Sequence, residues 1–306
     1  MTQKAQITFL GTGSSVPTKR RNHTAQLLQY KSEAILFDCG EGTQRQFRKA
    51  RLNPCKVTKI LLSHWHADHS LGIPGLLQSM IMNGYNKELE FYGPKGTKEK
   101  IRTLLDFYGI NPQELKLKVF EVKDKIFYDS EEFYLETKSM DHNAPTNGYS
   151  FVIKEKSRLD KTKLEKLNIK NSPSMAKLAK GETVKIDGKK IDGKKLLYKE
   201  PQRKFTFIVD TRYCKNAVAI SKGADILTCE SSFSAEESEL AEDHGHMTSA
   251  HAAKLAKESK VKKLSLIHLS QRYDVIPKKI LEEAKKVLKG TKIQVSVAED
   301  LDKVEI

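Results

Sequence analysis

Three histidines and an aspartate lie within six residues of the sequence, in the segment His64-Trp65-His66-Ala67-Asp68-His69. The segment follows the apolar run 57–62, which predicts a buried strand, so these polar side chains lie where a strand ends. Imidazole nitrogens and a carboxylate oxygen form a ligand set that suits zinc, with manganese or iron as competitors. The spacing predicts ligands for two metal ions; the alternative is a surface histidine cluster on a loop.

Further candidate ligands stand at the ends of other predicted strands. His142 follows one strand, Asp210 ends the apolar run 205–209, and His268 ends the run 264–267. Taken alone, each could equally be a strand-end residue whose side chain forms a hydrogen bond with the backbone instead of a metal ligand. Four residues cannot fill two coordination spheres, so these three would complete them. The predicted ligands are, for one ion, His64, His66 and His142, for the other, Asp68, His69 and His268, and as a bridge between them, Asp210.

The composition sets limits on the class of protein. The chain has 306 residues, of which 38% are hydrophobic, and this is enough for a real core. No apolar run approaches the ~20 residues of a membrane span, and the polar start lacks the apolar stretch of a signal peptide, so we expect a cytoplasmic protein without a membrane partner. The four cysteines are scattered without a CxxC pair, which argues against a disulfide framework or a thiolate metal site.

The positive charge is concentrated in one segment. Residues 154–204 contain 17 basic and 7 acidic residues, a net charge of +10 within a chain whose formal charge is +15. The segment is poor in core-forming residues and repeats Ile-Asp-Gly-Lys-Lys at 186–190 and 191–195, where the Asp-Gly pairs also fit hairpin turns. Because basic surfaces attract phosphate backbones, we predict an extruded, partly mobile arm for an anionic partner. The alternative is a solvated lysine-rich insertion without a partner.

Strands and helices alternate along the chain, which indicates a mixed α/β fold. The predicted strands are 7–10, 23–30, 34–38, 57–62, 89–92, 133–138, 149–153, 205–209, 226–229, 264–267 and 293–297. The predicted helices are 43–51, 71–83, 97–107, 217–222, 248–259 and 277–288. Polar residues recur at the strand ends, as expected if one sheet edge is lined with functional groups.

The HxHxDH block, followed by a single histidine, a strand-end aspartate and a final strand-end histidine, resembles the metallo-β-lactamase pattern. Within that superfamily the chain resembles RNase Z, the endonuclease that trims the 3′ trailer from precursor tRNA. The matching motifs are FLGTG at 9–13, PTKRRN at 17–22, DCGEGTQ at 38–44, GIPGLL at 72–77, DTR at 210–212, GHMT at 245–248 and HLSQRY at 268–273. Around 168–175 the chain departs from the family's glycine-proline-rich turn.

The resemblance implies a fold and a set of partners. The fold is a four-layer αββα sandwich, a single metallo-β-lactamase-like domain over residues 1–306, with residues 154–204 as an inserted flexible arm that grips the tRNA elbow. The cofactors are two Zn2+ ions per subunit, with Mn2+ or Fe2+ possible. The partners are precursor tRNA and a second copy of the chain in a homodimer, with no DNA expected.

Phosphodiester hydrolysis needs a nucleophile at neutral pH, neutralisation of charge at phosphorus, and a proton for the leaving oxygen. Two metal ions would meet the first two needs, and Asp68 would orient the shared water and take its proton. For the leaving 3′ oxygen we predict His246 as the acid, with Glu230 holding its other nitrogen, and the resemblance supports this pair. From the sequence alone, His246 is more readily a residue at a helix N-terminus and Glu230 a surface carboxylate.

The predicted function is zinc-dependent endonucleolytic removal of the tRNA 3′ trailer just after the discriminator base, leaving a 3′-OH and a 5′-phosphate. A small-molecule hydrolase of the same fold, a phosphodiesterase or thioesterase, is the alternative, and it would not need the arm. A metal-inactive RNA-binding homologue would lack ligands. Phosphate contacts outside the metal site are predicted from cations with hydroxyl and amide donors, although each residue alone is more readily an ordinary surface residue; they are Lys19, Arg21, Asn22, Ser270, Arg272 and Tyr273.

Overall fold

The computed structural model describes residues 4–169, 172–186 and 188–306. Its strands are β1 (Gln6–Gly11), β2 (Ala25–Tyr30), β3 (Glu33–Phe37), β4 (Lys59–Leu61), β5 (Leu89–Gly93), β6 (Leu117–Glu121), β7 (Ile126–Asp129), β8 (Phe133–Met140), β9 (Thr146–Ile153), β10 (Lys156–Leu159), β11 (Thr183–Ile186), β12 (Lys189–Asp192), β13 (Leu197–Glu200), β14 (Arg203–Ile208), β15 (Ile226–Glu230), β16 (Lys263–Ile267), β17 (Gln294–Val297) and β18 (Lys303–Glu305). Its helices are α1 (Thr43–Lys49), α2 (Ala67–Ser70), α3 (Ile73–Met82), α4 (Thr97–Tyr108), α5 (Lys161–Lys166), α6 (Ser174–Ala179), α7 (Lys215–Ser221), α8 (Ser238–His244), α9 (Ser249–Glu258) and α10 (Pro277–Leu288). Within these described ranges, none of the helices has the length and apolar character needed to cross a membrane.

Two seven-stranded sheets form the centre of the fold, in the orders β18-β1-β2-β3-β4-β5-β6 and β17-β16-β15-β14-β9-β8-β7. In the first sheet the strands from β3 to β6 are parallel, and in the second those from β14 to β17 are parallel. The carboxyl ends of parallel strands lie at the same edge of a sheet, and ligands commonly bind there in α/β folds. The segments that follow β3 and β4 therefore lie at such an edge of the first sheet, and those that follow β14, β15 and β16 lie at such an edge of the second.

Buried apolar side chains define four layers. Between the sheets, the Phe37 ring centroid lies 5.4 Å from those of both Phe205 and Phe207, so aromatic rings fill the central layer. A second core packs α1, α3 and α4 against the outer face of the first sheet, and a third packs α7, α9 and α10 against the second sheet. The order helix, sheet, sheet, helix confirms the predicted αββα sandwich.

The predicted elements are all present with small shifts at their ends, and the helix predicted at 277–288 has those bounds. The missed strands are β6, β7, β10 to β13 and β18, and the missed helices are α2, α5, α6 and α8. Most of these elements are short and largely exposed, and α2 has only four residues, so they lack the apolar periodicity from which the others were predicted.

Residues 130–133 and 152–203 form a compact unit separate from the rest of the chain. Its strands pair as β10–β13 and β11–β12, and it has a core of its own, formed by Leu164, Ile169, Leu178 and Leu196. The segment is therefore folded within itself, which its composition did not predict. The second Asp-Gly pair is not a hairpin turn, because Asp192 Oδ1 accepts a hydrogen bond from Lys194 N at 3.0 Å and caps a 3₁₀ turn. Residue 187 of the first pair, and residues 170 and 171 of the predicted departure at 168–175, lie outside the described residues.

Candidate metal centre and active site

The seven predicted ligands come together beside the ends of strands from both sheets. They lie in the loop after β4 (His64 and His66), on α2 (Asp68 and His69), after β8 (His142), after β14 (Asp210) and after β16 (His268). The backbone holds Asp210 and His268 at φ 49° and 58°, a left-handed conformation that residues other than glycine rarely adopt. Such strain persists where the surrounding structure fixes it, and it is concentrated at functional sites.

The first group of candidate ligands is His64, His66, His142 and Asp210, whose ligand atoms all lie within 4.8 Å of one another. Asp210 Oδ2 is 3.4 Å from His64 Nε2 and 3.8 Å from His142 Nε2. His142 Nε2 is also 3.3 Å from His66 Nδ1. Three imidazoles thus converge on one carboxylate oxygen.

The second group is Asp68, His69, Asp210 and His268, again with ligand atoms within 4.8 Å of one another. Asp210 Oδ1 lies 3.3 Å from His69 Nε2 and 3.2 Å from His268 Nε2, and those two nitrogens are 3.2 Å apart. Asp68 Oδ2 lies 3.3 Å and 3.2 Å from the same two nitrogens. Asp210 therefore turns one oxygen to each group.

The spacing and chemistry of these atoms fit divalent metal ions. Tetrahedral ligands about 2.0–2.2 Å from zinc stand roughly 3.3–3.6 Å apart, and the pairs of atoms described above are separated by 3.2 to 3.8 Å. Among the described residues, His64 Nε2 and Asp210 Oδ1 are buried without a hydrogen-bond partner. Buried polar atoms usually have a partner, and an ion bound between these two groups would provide one for both. The spacing and ligand types of these residues therefore fit a divalent-metal site.

Burial and the neighbouring histidines shift the pKa values of the candidate ligands. Burial opposes ionisation of Asp68, but His69 and His268 outweigh it and hold the pKa of Asp68 below its ordinary value. Burial likewise opposes ionisation of Asp210, and the histidines around it, with His268 the strongest, again lower the pKa. For His64, burial and the neighbouring His69 lower the pKa well below the usual value, which favours the neutral imidazole that binds metals.

His246 and Glu230 form an ion pair beside the two groups. Glu230 ends β15 and is fully buried, and its Oε2 lies 3.1 Å from His246 Nδ1. Although burial alone would lower it, the Glu230 carboxylate and then Asp210 raise the pKa of His246 to about 9. The His246 ring centroid is 5.4 Å from that of His142 and 5.5 Å from that of His268. Glu230 is thus no surface carboxylate, and the pair borders the candidate metal ligands.

Asp38 and Ser232 are hydrogen-bonding residues of this centre to which sequence analysis assigned no function. Asp38 is fully buried after β3, and its Oδ2 accepts a hydrogen bond from His69 Nδ1 at 2.7 Å. Ser232 is buried after β15, and its hydroxyl lies 2.6 Å from Glu230 Oε2. A signal was available for Asp38, because it ends an apolar run as Asp210 does and begins the DCGEGTQ motif.

Three of the predicted phosphate contacts are available to a ligand. Lys19 is exposed in the loop after β1, and Arg272 is exposed with Nη1 3.0 Å from Glu237 Oε1. Ser270 and Arg272 line an open cleft of about 450 Å³. The cleft is also bordered by side chains of the metal groups and of the ion pair, namely His66, His142 and His246.

The other three have partners within the chain. Arg21 is 3% exposed, and its Nη1 donates to Thr12 Oγ1 at 2.7 Å and to the Ala298 carbonyl at 2.6 Å. Asn22 Nδ2 donates to the Glu41 carbonyl at 2.6 Å. Tyr273 is buried, and its hydroxyl accepts a hydrogen bond from the backbone N–H of residue 234 at 3.0 Å. In this structure these side chains hold the loops that carry Lys19 and Ser270.

The layered fold has solved counterparts. The metallo-β-lactamase fold protein YhfI from Bacillus subtilis superposes with a TM-score of 0.72 over 100% of both chains at 18% sequence identity, a likeness of fold. The αββα sandwich, with histidine–aspartate groups at its sheet ends, therefore places the chain among proteins of the metallo-β-lactamase fold.

Within this class, the chain is 38% identical over 299 residues to Ribonuclease Z of Nanoarchaeum equitans, covering 98% of this chain and 92% of that relative. It therefore belongs to the ribonuclease Z family. The structure of human tRNase Z, short form, superposes with a TM-score of 0.69 at 25% identity, covering 98% of each chain. Residues 5–167 also match the family described as Anti-Pycsar protein Apyc1, a stretch that includes the HxHxDH block and His142 but ends before Asp210.

Proposed function

We propose that the protein is an endoribonuclease that removes the 3′ trailer of precursor tRNA by hydrolysis just after the discriminator base. The observation that carries the proposal is the His246–Glu230 pair beside two histidine–aspartate groups, in a chain that matches Ribonuclease Z over nearly its whole length. The products would be tRNA ending in 3′-OH and a trailer with a 5′-phosphate, because water attacks phosphorus and no 2′-OH takes part.

The proposed cofactors are two Zn2+ ions, and the ligand set also accepts Mn2+ or Fe2+. His64, His66 and His142 would hold one ion, Asp68, His69 and His268 the other, with Asp210 shared. When bound, such ions lower the pKa of a water molecule and neutralise charge on the phosphate. Asp68 would orient the attacking water and accept its proton.

His246 is the proposed donor of the proton to the leaving 3′ oxygen. Glu230 accepts from Nδ1, which fixes the ring and leaves Nε2 free for the substrate. His246 lines the same cleft as Ser270 and Arg272, which with Lys19 are the proposed phosphate contacts. Phosphate contacts of this kind position an RNA without reading its sequence.

We assign tRNA binding to the arm, residues 154–204, as an insertion in the metallo-β-lactamase-like domain. Its net charge of +10 supports this assignment, as do exposed lysines in and beside the β11–β12 hairpin. A homodimer and a cytoplasmic location are parts of the same proposal. Leu71 and Met82, which flank and end α3, are 53% and 78% exposed and are candidates for a subunit interface, which light scattering of the purified chain would test.

Replacing four exposed arm lysines by glutamine should weaken the binding of precursor tRNA by roughly tenfold or more. It should also make the dissociation constant less dependent on salt, because each phosphate contact that is lost reduces the number of counterions released on binding. The lysines are Lys189, Lys190, Lys194 and Lys195. Hydrolysis of a small phosphodiester should be unchanged, which separates tRNA binding from chemistry. The measurement is the dissociation constant at several salt concentrations, together with kcat on the small substrate.

The matched control removes the same charge from exposed lysines in and just after α10, namely Lys278, Lys286, Lys289 and Lys292. Equal weakening by both quadruple variants would show a general effect of net charge and would contradict the assignment of tRNA binding to the arm.

The function is tested by incubating the purified protein with labelled precursor tRNA that carries a 3′ trailer, and by mapping the new ends. We expect one cut beside the discriminator base, leaving 3′-OH, that a chelator abolishes and added Zn2+ or Mn2+ restores. Asp68→Ala should lack the cut. If metal-replete protein hydrolyses a small phosphodiester or thioester but leaves the precursor intact, a small-molecule hydrolase replaces the proposal.

A further inference from the structure

Ser232 joins a candidate metal ligand to the Glu230 carboxylate. Its hydroxyl lies 2.6 Å from Glu230 Oε2 and 2.8 Å from His268 Nδ1. A hydroxyl has one proton and a carboxylate only accepts, so Ser232 donates to Glu230, and its oxygen accepts from His268 Nδ1–H. The proton of the neutral His268 ring is therefore on Nδ1. Its Nε2, which faces the oxygens of Asp68 and Asp210 at 3.2 Å, keeps a free lone pair.

Ser63 makes the same arrangement in the other group. Its hydroxyl lies 2.8 Å from Asp38 Oδ2 and 3.1 Å from His64 Nδ1, and its backbone N–H donates to Asp38 Oδ1 at 2.6 Å. By the same count of protons, Ser63 donates to Asp38 and accepts from His64 Nδ1–H. His64 Nε2 is then the free nitrogen, and it lies 3.4 Å from Asp210 Oδ2.

The two carboxylates have parallel roles. Asp38 accepts directly from His69 Nδ1 at 2.7 Å, and Glu230 is bonded directly to His246 Nδ1 at 3.1 Å. Each carboxylate thus orients one imidazole directly and a second through a serine. The groups differ in one respect: the direct partner of Glu230 is the proposed proton donor, so Glu230 and Ser232 connect that donor to His268.

We propose that Ser63 and Ser232 are positioning residues that fix the Nδ1–H tautomers of His64 and His268, and so present Nε2 of each ring to a metal ion. The inference rests on the metal-binding part of the proposed function. Both serines are buried, so water does not readily replace a deleted hydroxyl. The Nδ1–H of each ring would then lack an acceptor, and loss of such a partner costs roughly 10- to 100-fold in metal affinity.

The test is zinc affinity of the full-length chain, measured by competition with a chelating dye, for Ser63→Ala, Ser232→Ala and the double variant. Each single variant should weaken one of two binding steps by roughly 10- to 100-fold, and the double variant should weaken both. Ser231→Ala is the matched control, because Ser231 is fully buried beside Ser232 and its hydroxyl has no hydrogen-bond partner among the described residues. Ser63→Thr and Ser232→Thr keep the hydroxyl and should retain an affinity near that of the wild type.

A second readout separates positioning from a general loss of stability. In long-range 1H–15N spectra of the zinc-loaded protein, Ser232→Ala should move the Nδ1–H signal of His268 and leave that of His64, and Ser63→Ala should do the reverse. Zinc affinities within about twofold of the Ser231→Ala control, with unchanged histidine signals, would overturn the proposal. Wild-type protein that binds no divalent metal would instead overturn the proposed function.

Discussion

Asp210→Asn should remove metal from both ligand groups and reduce cleavage of precursor tRNA by about 10³-fold or more, because several kcal/mol of charge stabilisation depend on the ions. Asp210 belongs to both groups, and each of its oxygens lies within 3.4 Å of an imidazole nitrogen. Asparagine suits the substitution because it tolerates the φ of 49° at this position. It removes the negative charge and turns an NH2 group towards one of the ions.

Metal content of the purified variant and kcat/KM on the labelled precursor are the two measurements. The matched control is Asp225→Asn, because Asp225 also flanks a strand of the second sheet but pairs with Lys262 instead of histidines. The control should retain metal and activity. A variant at Asp210 that keeps a full complement of metal, and cleaves at a rate near that of the wild type, would contradict the shared-ligand assignment.

The proximity of the candidate ligands could be predicted because they follow apolar runs whose pattern indicates strands. The block from His64 to His69 is local in sequence, and Asp210 and His268 each end a buried strand. Parallel strands bring such ends to one edge of a sheet, so Asp210 and His268, which follow β14 and β16 of the second sheet and lie 3.2 Å apart, could be grouped before the structure was known. The same rule accounts for Glu230, which ends β15 between β14 and β16.

The hydrogen bonds around the ligands were not predictable in this way. Glu230 pairs in register with Ile267 of β16, and only this register brings Ser232 to His268. Sequence does not give the register between strands separated by more than 30 residues, nor the rotamer of a serine. Burial was a second difficulty: Arg21 reads as a phosphate contact, but its guanidinium has internal acceptors that lie 9 and 277 residues away.

The fold of the arm was obscured by its charge. Its core consists of a few apolar residues, among them Leu164, Leu178 and Leu196, which are scattered among lysines. Such spacing gives no long apolar period, so the composition did not predict the two helices and two strand pairs that this segment contains. A small core of this kind holds the lysines on a folded surface, so binding of a partner would require less ordering of the chain than binding by a disordered segment would.

His246→Ala should reduce cleavage of precursor tRNA by roughly 10²- to 10⁴-fold, the usual contribution of a general acid. The leaving 3′ oxygen needs a proton, and His246 is held by Glu230 at 3.1 Å beside both metal groups. Hydrolysis of bis(p-nitrophenyl) phosphate should change little, because nitrophenolate leaves as a stable anion without a proton. The measurement is kcat on both substrates with matched zinc content.

The two substrates together separate proton donation from metal positioning. Because Glu230 also bonds Ser232, and through it His268, Glu230→Gln should affect both substrates, whereas His246→Ala should affect only the one with a poor leaving group. Equal losses on both substrates for His246→Ala would show that the ring supports the metal site instead of protonating the product. The contrast between His246→Ala and Glu230→Gln therefore tests whether His246 donates the proton or only supports the metal ligands.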